Sequence, residues 1–276
     1  MSEPGYTLKI ARVGGKYDIH HVDTGSGFPV LLMHGLAGDH KAWLPQLPVL
    51  EQRYRVIAAD NRGAGRSTQI DEPISTEDMA RDFLELMDHC GVTKFHIVGR
   101  SLGGLIGQHI TLLAPDRVQS LVMLAAAGRV DPIGHRVLMN MREVLQWTDS
   151  WDDHARHSVQ NFVSQKFFNE NPDRIAAIEK LIGGETRLKA CYFRQSHAAL
   201  SHDTLDRLHQ IRNPVCIMAG SLDPICGPQA TQWMIDRLPQ AEVTWFEQSS
   251  HFFLMEEPLR FMQVLTSWLE RHTPAA

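Results

Sequence analysis

The sequence predicts an α/β fold: a mostly parallel central sheet flanked by helices, with a helical cap inserted after the sixth strand. Three observations carry this reading. Short apolar runs alternate with amphipathic segments, the pattern of strands joined by crossover helices. Several runs are almost wholly apolar, as expected of parallel strands covered on both faces. Beyond Asp131 the strand-like runs stop, and they resume only at Pro214.

The runs at 30–33, 55–59, 95–98, 120–125, 215–219 and 243–246 read as strands. Between the second and third of these, Ser75 followed by Asp78 reads as a capping box that opens a helix, and Gly91 as its left-handed stop. Met79, Phe83, Met87 and Cys90 recur at helical spacing and are expected to face the sheet. Residues 257–271 read as the last helix, with Phe261, Val264, Leu265 and Trp268 as its buried stripe. The segment 131–205, rich in Met, Trp, Phe, Arg and His, reads as several short helices, with Gly183 and Gly184 marking a bend. Open α/β sheets bind ligands outside the carboxyl ends of their strands, so a helical block inserted there reads as a lid over that edge. The expected organisation is a core domain of 1–130 and 206–276 and a cap of 131–205.

A chain of 276 residues accommodates one large α/β domain with such an insertion. Its net charge of -5 and the absence of a basic run argue against nucleic acid or an anionic membrane as partner. No apolar stretch approaches the roughly 20 residues of a membrane span. The N-terminus lacks an apolar segment followed by a small-residue cleavage site. The expectation is a cytoplasmic enzyme whose partner is a small-molecule substrate, with association as a homodimer left open. Cys90, Cys191, Cys216 and Cys226 are scattered and are expected to be free thiols, with Cys226 a candidate pocket residue.

The decisive local feature is Gly99-Arg100-Ser101-Leu102-Gly103, directly after the run 95–98 and before a helical pattern. The pattern G-x-S-x-G alone is common by chance. Between a strand and a helix it reads as a nucleophile elbow, where small neighbours let the two elements approach and Ser101 is lifted clear. A serine hydroxyl needs a base. Of the fifteen histidines, His251 follows the run 243–246 in a loop, which places it at the same edge of the sheet. Asp223 follows the run 215–219 and can fix the imidazole tautomer. Asp131, after the run 120–125, is the rival acid.

Acyl transfer builds charge on an oxygen that two N–H donors must meet. Leu102 and Leu36 are the candidate donors, with Ala37 the alternative to Leu36. His34 reads as a residue that holds this loop. The stretch 60–67 carries no G-x-G-x-x-G opening a helix and reads as a tight surface loop organised by Asp60 and Arg62. There is no H-E-x-x-H; His154 and His157 read as a solvated helix face, and neither metal nor cofactor is expected. Aromatic and cationic residues mix in the cap, which suggests that it reads a substrate carboxylate through Arg194 first and Arg142 second. Trp147 and Phe252 are further candidates for substrate contact.

Together these residues resemble the α/β-hydrolase superfamily, over nearly the whole chain outside the cap. The stretch 42–67 (AWLPQLPVLEQRYRVIAADNRGAGRS) with 99–104 looks most like the 3-oxoadipate enol-lactonase and aminoacrylate hydrolase group. The resemblance implies the α/β-hydrolase fold and cofactor-free hydrolysis of small esters, lactones or related acids through a serine nucleophile. Arg100 is a departure, since many relatives carry histidine or asparagine there. One rival is hydrolysis of carbon–carbon bonds in ring-cleavage products. Such relatives commonly have asparagine before the serine, methionine after it and tryptophan after the histidine, where this chain has Arg100, Leu102 and Phe252. The other rival is a non-enzymatic ligand receptor on the same fold, which the cap does not resemble.

Overall fold

The computed structural model describes residues 5–183 and 188–275. Eight strands form one sheet in the order β1-β2-β4-β3-β5-β6-β7-β8: β1 Leu8–Val13, β2 Tyr17–Gly25, β3 Phe28–Met33, β4 Tyr54–Ala59, β5 Phe95–Arg100, β6 Val118–Leu124, β7 Val215–Gly220 and β8 Glu242–Phe246. Pairing is parallel from β4 through β8, while β2 runs antiparallel to both β1 and β4. All six strands read from sequence are present. The two that were not legible, β1 and β2, form an edge hairpin whose charged residues pair across it, Lys9 with Asp23 and Arg12 with Asp18. Half-exposed strands of this kind lack the apolar run that marks a buried strand.

Side chains alternate across the sheet and build a core on each face. Leu31, Met33, Ile57, Ile97, Met123 and Ile217 point to one face, where they meet helices α1 (Thr76–His89) and α2 (Leu102–Leu113). Leu32, Val56, Val98, Val122 and Met218 point to the other. There they pack on Phe261, Leu265, Trp268 and Leu269 of the C-terminal helix Pro258–His272. Helix α1 starts as its sequence requires: Ser75 accepts from the Asp78 N–H while the Asp78 carboxylate accepts from the Ser75 N–H. Gly91 follows at φ 67°, a conformation that favours glycine and ends the helix.

Between β6 and β7 every described regular element is helical: α3 Pro132–Thr148, α4 Trp151–Ser158, α5 Gln165–Glu170, α6 Pro172–Gly183 and α7 Lys189–Leu200, with 3-10 segments at Val159–Asn161 and Leu205–Gln210. Gly183 closes α6, while Gly184 lies outside the described residues. Among the described residues no helix is long and apolar enough to cross a membrane.

Candidate active site

The site begins where β5 turns into α2. Ser101 has φ 50° and ψ -118°, a backbone conformation that costs a non-glycine residue about 1–3 kcal/mol. The turn is possible because its neighbours have no side chains. A Cβ on Gly99 would lie 2.3 Å from the Gly103 carbonyl oxygen, and one on Gly103 would lie 2.3 Å from the Met33 carbonyl oxygen. The Ser101 N–H donates to Leu124 O at 2.8 Å, which ties the elbow to β6. Leu102 is the first residue of α2, so its N–H belongs to the helix's unsatisfied first turn.

The loop after β3 approaches the same point. Gly35 to Gly38 form a turn, closed by the Gly38 N–H on Gly35 O, with Ala37 at φ 59°. Among the described residues the Leu36 N–H makes no hydrogen bond. His34 holds this loop from beneath: its Nδ1–H donates to Gly35 O at 2.8 Å, and its Nε2 accepts from the Asn61 N–H at 3.0 Å. Complete burial pushes its pKa down to about 4, so the ring is neutral at pH 7.

Asp223 and His251 lie on the loops after β7 and β8. Asp223 is buried; its Oδ1 accepts from the N–H groups of Ile225 and Cys226, at 2.7 and 3.1 Å. Its Oδ2 is thereby aimed at His251 Nδ1, 2.8 Å away. The two loops are laced together by the Leu222 N–H on Ser249 O and the Ser250 hydroxyl on Leu222 O. Ser101 and His251 both line one cavity of about 280 Å³ between the sheet edge and the helical segment. Asp131, the rival acid, instead caps α3, with its carboxylate accepting from the Gly134 N–H at 2.8 Å. Cys226 serves Asp223 through its backbone; its own thiol is buried, which raises its pKa well above the usual range.

The roof of the cavity comes from α3, α4, α6 and α7, including Met141, His154 and Tyr192, and from Phe162 between α4 and α5. Phe162 stacks on Phe252 with centroids 4.7 Å apart, and lies 6.0 Å from the His251 ring. Glu256 joins roof to floor: its Oε1 accepts from the Ser250 N–H, and its Oε2 from the N–H and hydroxyl of Ser164. A second seam links α7 to the loop after β4, through Gln195 Nε2 on Arg62 O and a Cys191 thiol that accepts from the Ile70 N–H.

Three of the four residues expected to touch substrate lie elsewhere. Arg194 pairs with the exposed Asp71 at 3.3 Å on the surface. Arg142 is used in packing α3 on α7, donating to Ser196 Oγ and Phe193 O. Trp147 is 75% exposed. Only Phe252 lines the cavity. His154 also departs from expectation: it is buried, bonded to Met141 O and in edge contact with Tyr192, while His157 is exposed. The cavity cation that the sequence singled out only as a departure is Arg100.

The loop 60–67 is less superficial than its composition suggests. Asp60 is wholly buried and accepts from the His40 N–H, His40 Nδ1 and the Arg66 N–H, while Arg62 pairs with Asp82 of α1. Asp39, His40 and Asp60 could offer metal-ligand atoms within 4.8 Å of one another. The Asp60 carboxylate is already engaged by these donors, so its geometry is accounted for by holding the loop.

A strand–elbow–helix serine, an acid and a histidine on later strand loops, and a helical roof place a candidate site at the carboxyl edge of the sheet of an α/β protein. Residues 29–258 match the family described as alpha/beta hydrolase fold, and the chain belongs to that family. It is 30% identical over 257 residues to the "Putative carbamate hydrolase RutD" of Caulobacter segnis, covering 92% of this chain and 96% of that one. The protein of the same name from Azorhizobium caulinodans is 28% identical over 258 residues, covering 91% and 95%. Among solved structures, a thermophilic esterase from Thermogutta terrifontis superposes with a TM-score of 0.85 at 25% identity, covering 97% of this chain and 100% of that one. The enol-lactonase from Burkholderia xenovorans LB400 has a TM-score of 0.85 at 21% identity, covering 95% and 100%, a likeness of fold.

Proposed function

We propose that this chain is a serine hydrolase of small carboxylic esters, lactones or related acyl compounds such as carbamates, acting through Ser101, His251 and Asp223. The observation that carries this is the 2.8 Å contact of a buried Asp223 with His251, in a cavity that also presents Ser101 on a strained elbow. His251 Nε2 takes the Ser101 proton as Oγ attacks the scissile carbonyl. Asp223 keeps the proton of Nδ1 in place and stabilises the imidazolium. The carbonyl oxygen, now negative, is met by the N–H groups of Leu102 and Leu36. Collapse expels the leaving group, which takes the proton from His251, and leaves an acyl-serine. Water then gives its proton to His251, attacks the acyl carbon, and the acid product leaves with Ser101 restored. Residues 131–205 act in this reading as a cap that shapes the acyl and leaving-group sites. Relatives named as carbamate hydrolases and esterases agree with this class of bond.

The test is intact mass after treatment with a fluorophosphonate, followed by a screen of short esters, lactones, amides and carbamates. One adduct mapped to Ser101, with turnover of at least one acyl class, is the expected result. An adduct on another serine, or no turnover of any class, overturns the proposal.

A further inference from the structure

We propose that Arg100, the residue before the candidate nucleophile, binds a carboxylate on the substrate, so that the preferred substrates are small acyl compounds carrying a negative charge close to the scissile bond. This rests on the hydrolase reading above and names the substrate class of that same site.

The cavity is lined by several cations, and they differ in one respect. Lys41 lies 3.7 Å from the Asp39 carboxylate, and Arg174 donates to Met255 O. Arg100 has no acceptor: its Nε is buried without a hydrogen-bond partner, and among the described residues no carboxylate pairs with it. Its guanidinium lies over the Phe252 ring, 4.9 Å from the centroid. A ring face offsets only part of the loss of water around a charged group. Burial lowers the Arg100 pKa to about 10, so it is still charged at pH 7. A half-buried, charged guanidinium at a cavity wall, its Nε without a partner, is complementary to an anion, and its planar fork fits a carboxylate through two parallel hydrogen bonds.

Position supplies the second half of the argument. Arg100 Nε lies 3.5 Å from where a Cβ on Gly35 would be, against the turn that presents Leu36. An anion held there lies beside the oxyanion site and not across the cavity from it. The volume of about 280 Å³ admits only a small molecule around that pair of anchors. The Tyr192 hydroxyl, buried without a partner on the same cavity's roof, is a second donor for such a polar substrate.

The experiment compares matched esters with and without a carboxylate. On the acyl side the pair is mono-4-nitrophenyl glutarate and 4-nitrophenyl butyrate; on the leaving-group side it is 3-acetoxybenzoate and phenyl acetate. Arg100→Gln is expected to lower the anionic-to-neutral ratio of kcat/KM by about 10- to 100-fold in at least one pair, the range for losing a charge-assisted double hydrogen bond. Arg100→Lys is expected to recover part of that ratio. Equal losses on both members of each pair would overturn the proposal and make Arg100 a support of the elbow. An unchanged ratio in both pairs would overturn it as well. Two measurements need neither turnover nor a folded Arg100 variant. Glutarate should protect wild-type Ser101 from the fluorophosphonate while glutaramide does not, and glutarate should bind Ser101→Ala in calorimetry. Failure of both would overturn the carboxylate site even if neutral esters are hydrolysed. Glutarate binding without any ester turnover would leave the site standing and sink the hydrolase reading instead.

Discussion

The floor and the roof of the cavity are built on different principles. On the floor, backbone geometry places the candidate triad: Ser101 on a strained turn between β5 and α2, Asp223 aimed by two backbone N–H groups, His251 on the loop after β8. The roof is held mostly through side chains, by the Phe162–Phe252 stack, the Glu256 bridge and the Gln195 and Cys191 seam, beside one backbone bond from the Phe252 N–H to Phe162 O. Its own core is small, centred on Val159, Val163, Phe167, Ile175 and Ile178. Positions set by strand ends tolerate no shift, because several backbone hydrogen bonds must break together. Positions set by a few side-chain contacts can be altered singly. Changes to the floor should therefore abolish the reaction, and changes to the roof should rescale it.

The largest effect is expected from Ser101→Ala, which should fold and lose about 10⁵- to 10⁶-fold in kcat, since nucleophile and base act as a unit. Thermal unfolding should stay close to wild type, because alanine keeps the Cβ and with it the strain of the turn. Turnover within tenfold of wild type would remove Ser101 from the mechanism and the floor from its assigned role.

Next comes Asp223→Asn, expected to cost about 10⁴-fold in kcat by presenting the wrong hydrogen-bonding group to His251 Nδ1. Asp131→Asn keeps an oxygen for the Gly134 N–H and should leave both activity and helix capping close to wild type. Steady-state kinetics on one ester decides between the two carboxylates, and the reverse ranking would reassign the acid.

Glu256→Ala probes the junction itself. It strips the acceptor from the Ser250 N–H and from Ser164, with an expected loss of about 1–3 kcal/mol in unfolding free energy. Because Ser250 precedes His251, kcat should also fall, by about tenfold. A stability loss with unchanged kcat would show that the roof can loosen without moving the histidine.

The smallest effect belongs to Arg194→Ala. Its partner Asp71 is exposed, so the pair is worth about 0–1 kcal/mol. kcat/KM should change less than twofold on acidic and neutral esters alike. A selective loss on the acidic one would return Arg194 to the substrate and contradict its surface position.

The floor was legible because its signals are local. The elbow needs a strand, small neighbours and a helix in immediate succession, and the triad candidates need only to follow strands of the same sheet. The roof was not legible for the opposite reason. On short helices with aromatic and cationic residues all round, spacing does not tell which face meets the cavity. Thus Arg142 and Arg194 are as plausible by residue type as Arg100, yet one packs helices and the other meets solvent. His154 and His157 are separated only by one helical turn, but one is buried against Tyr192 and the other is exposed. Glu256 carried no signal, since its bonds to Ser164, 92 residues away, exist only once the roof is docked.

The sequence by itself determined the mostly parallel sheet flanked by helices, and it offered Ser101, His251 and Asp223 as candidates at strand ends. Apolar periodicity, capping chemistry and glycine sterics act over a few residues, and these suffice for such features. Only the tertiary structure decided what each charge faces. It gave Arg194 a surface partner, Arg142 a packing role and Asp131 a helix to cap, and it left Arg100 half-buried at the cavity wall with no acceptor for its Nε among the described residues. The energy of a charge depends on the water it loses and the partners it gains, and both are fixed by segments distant in sequence.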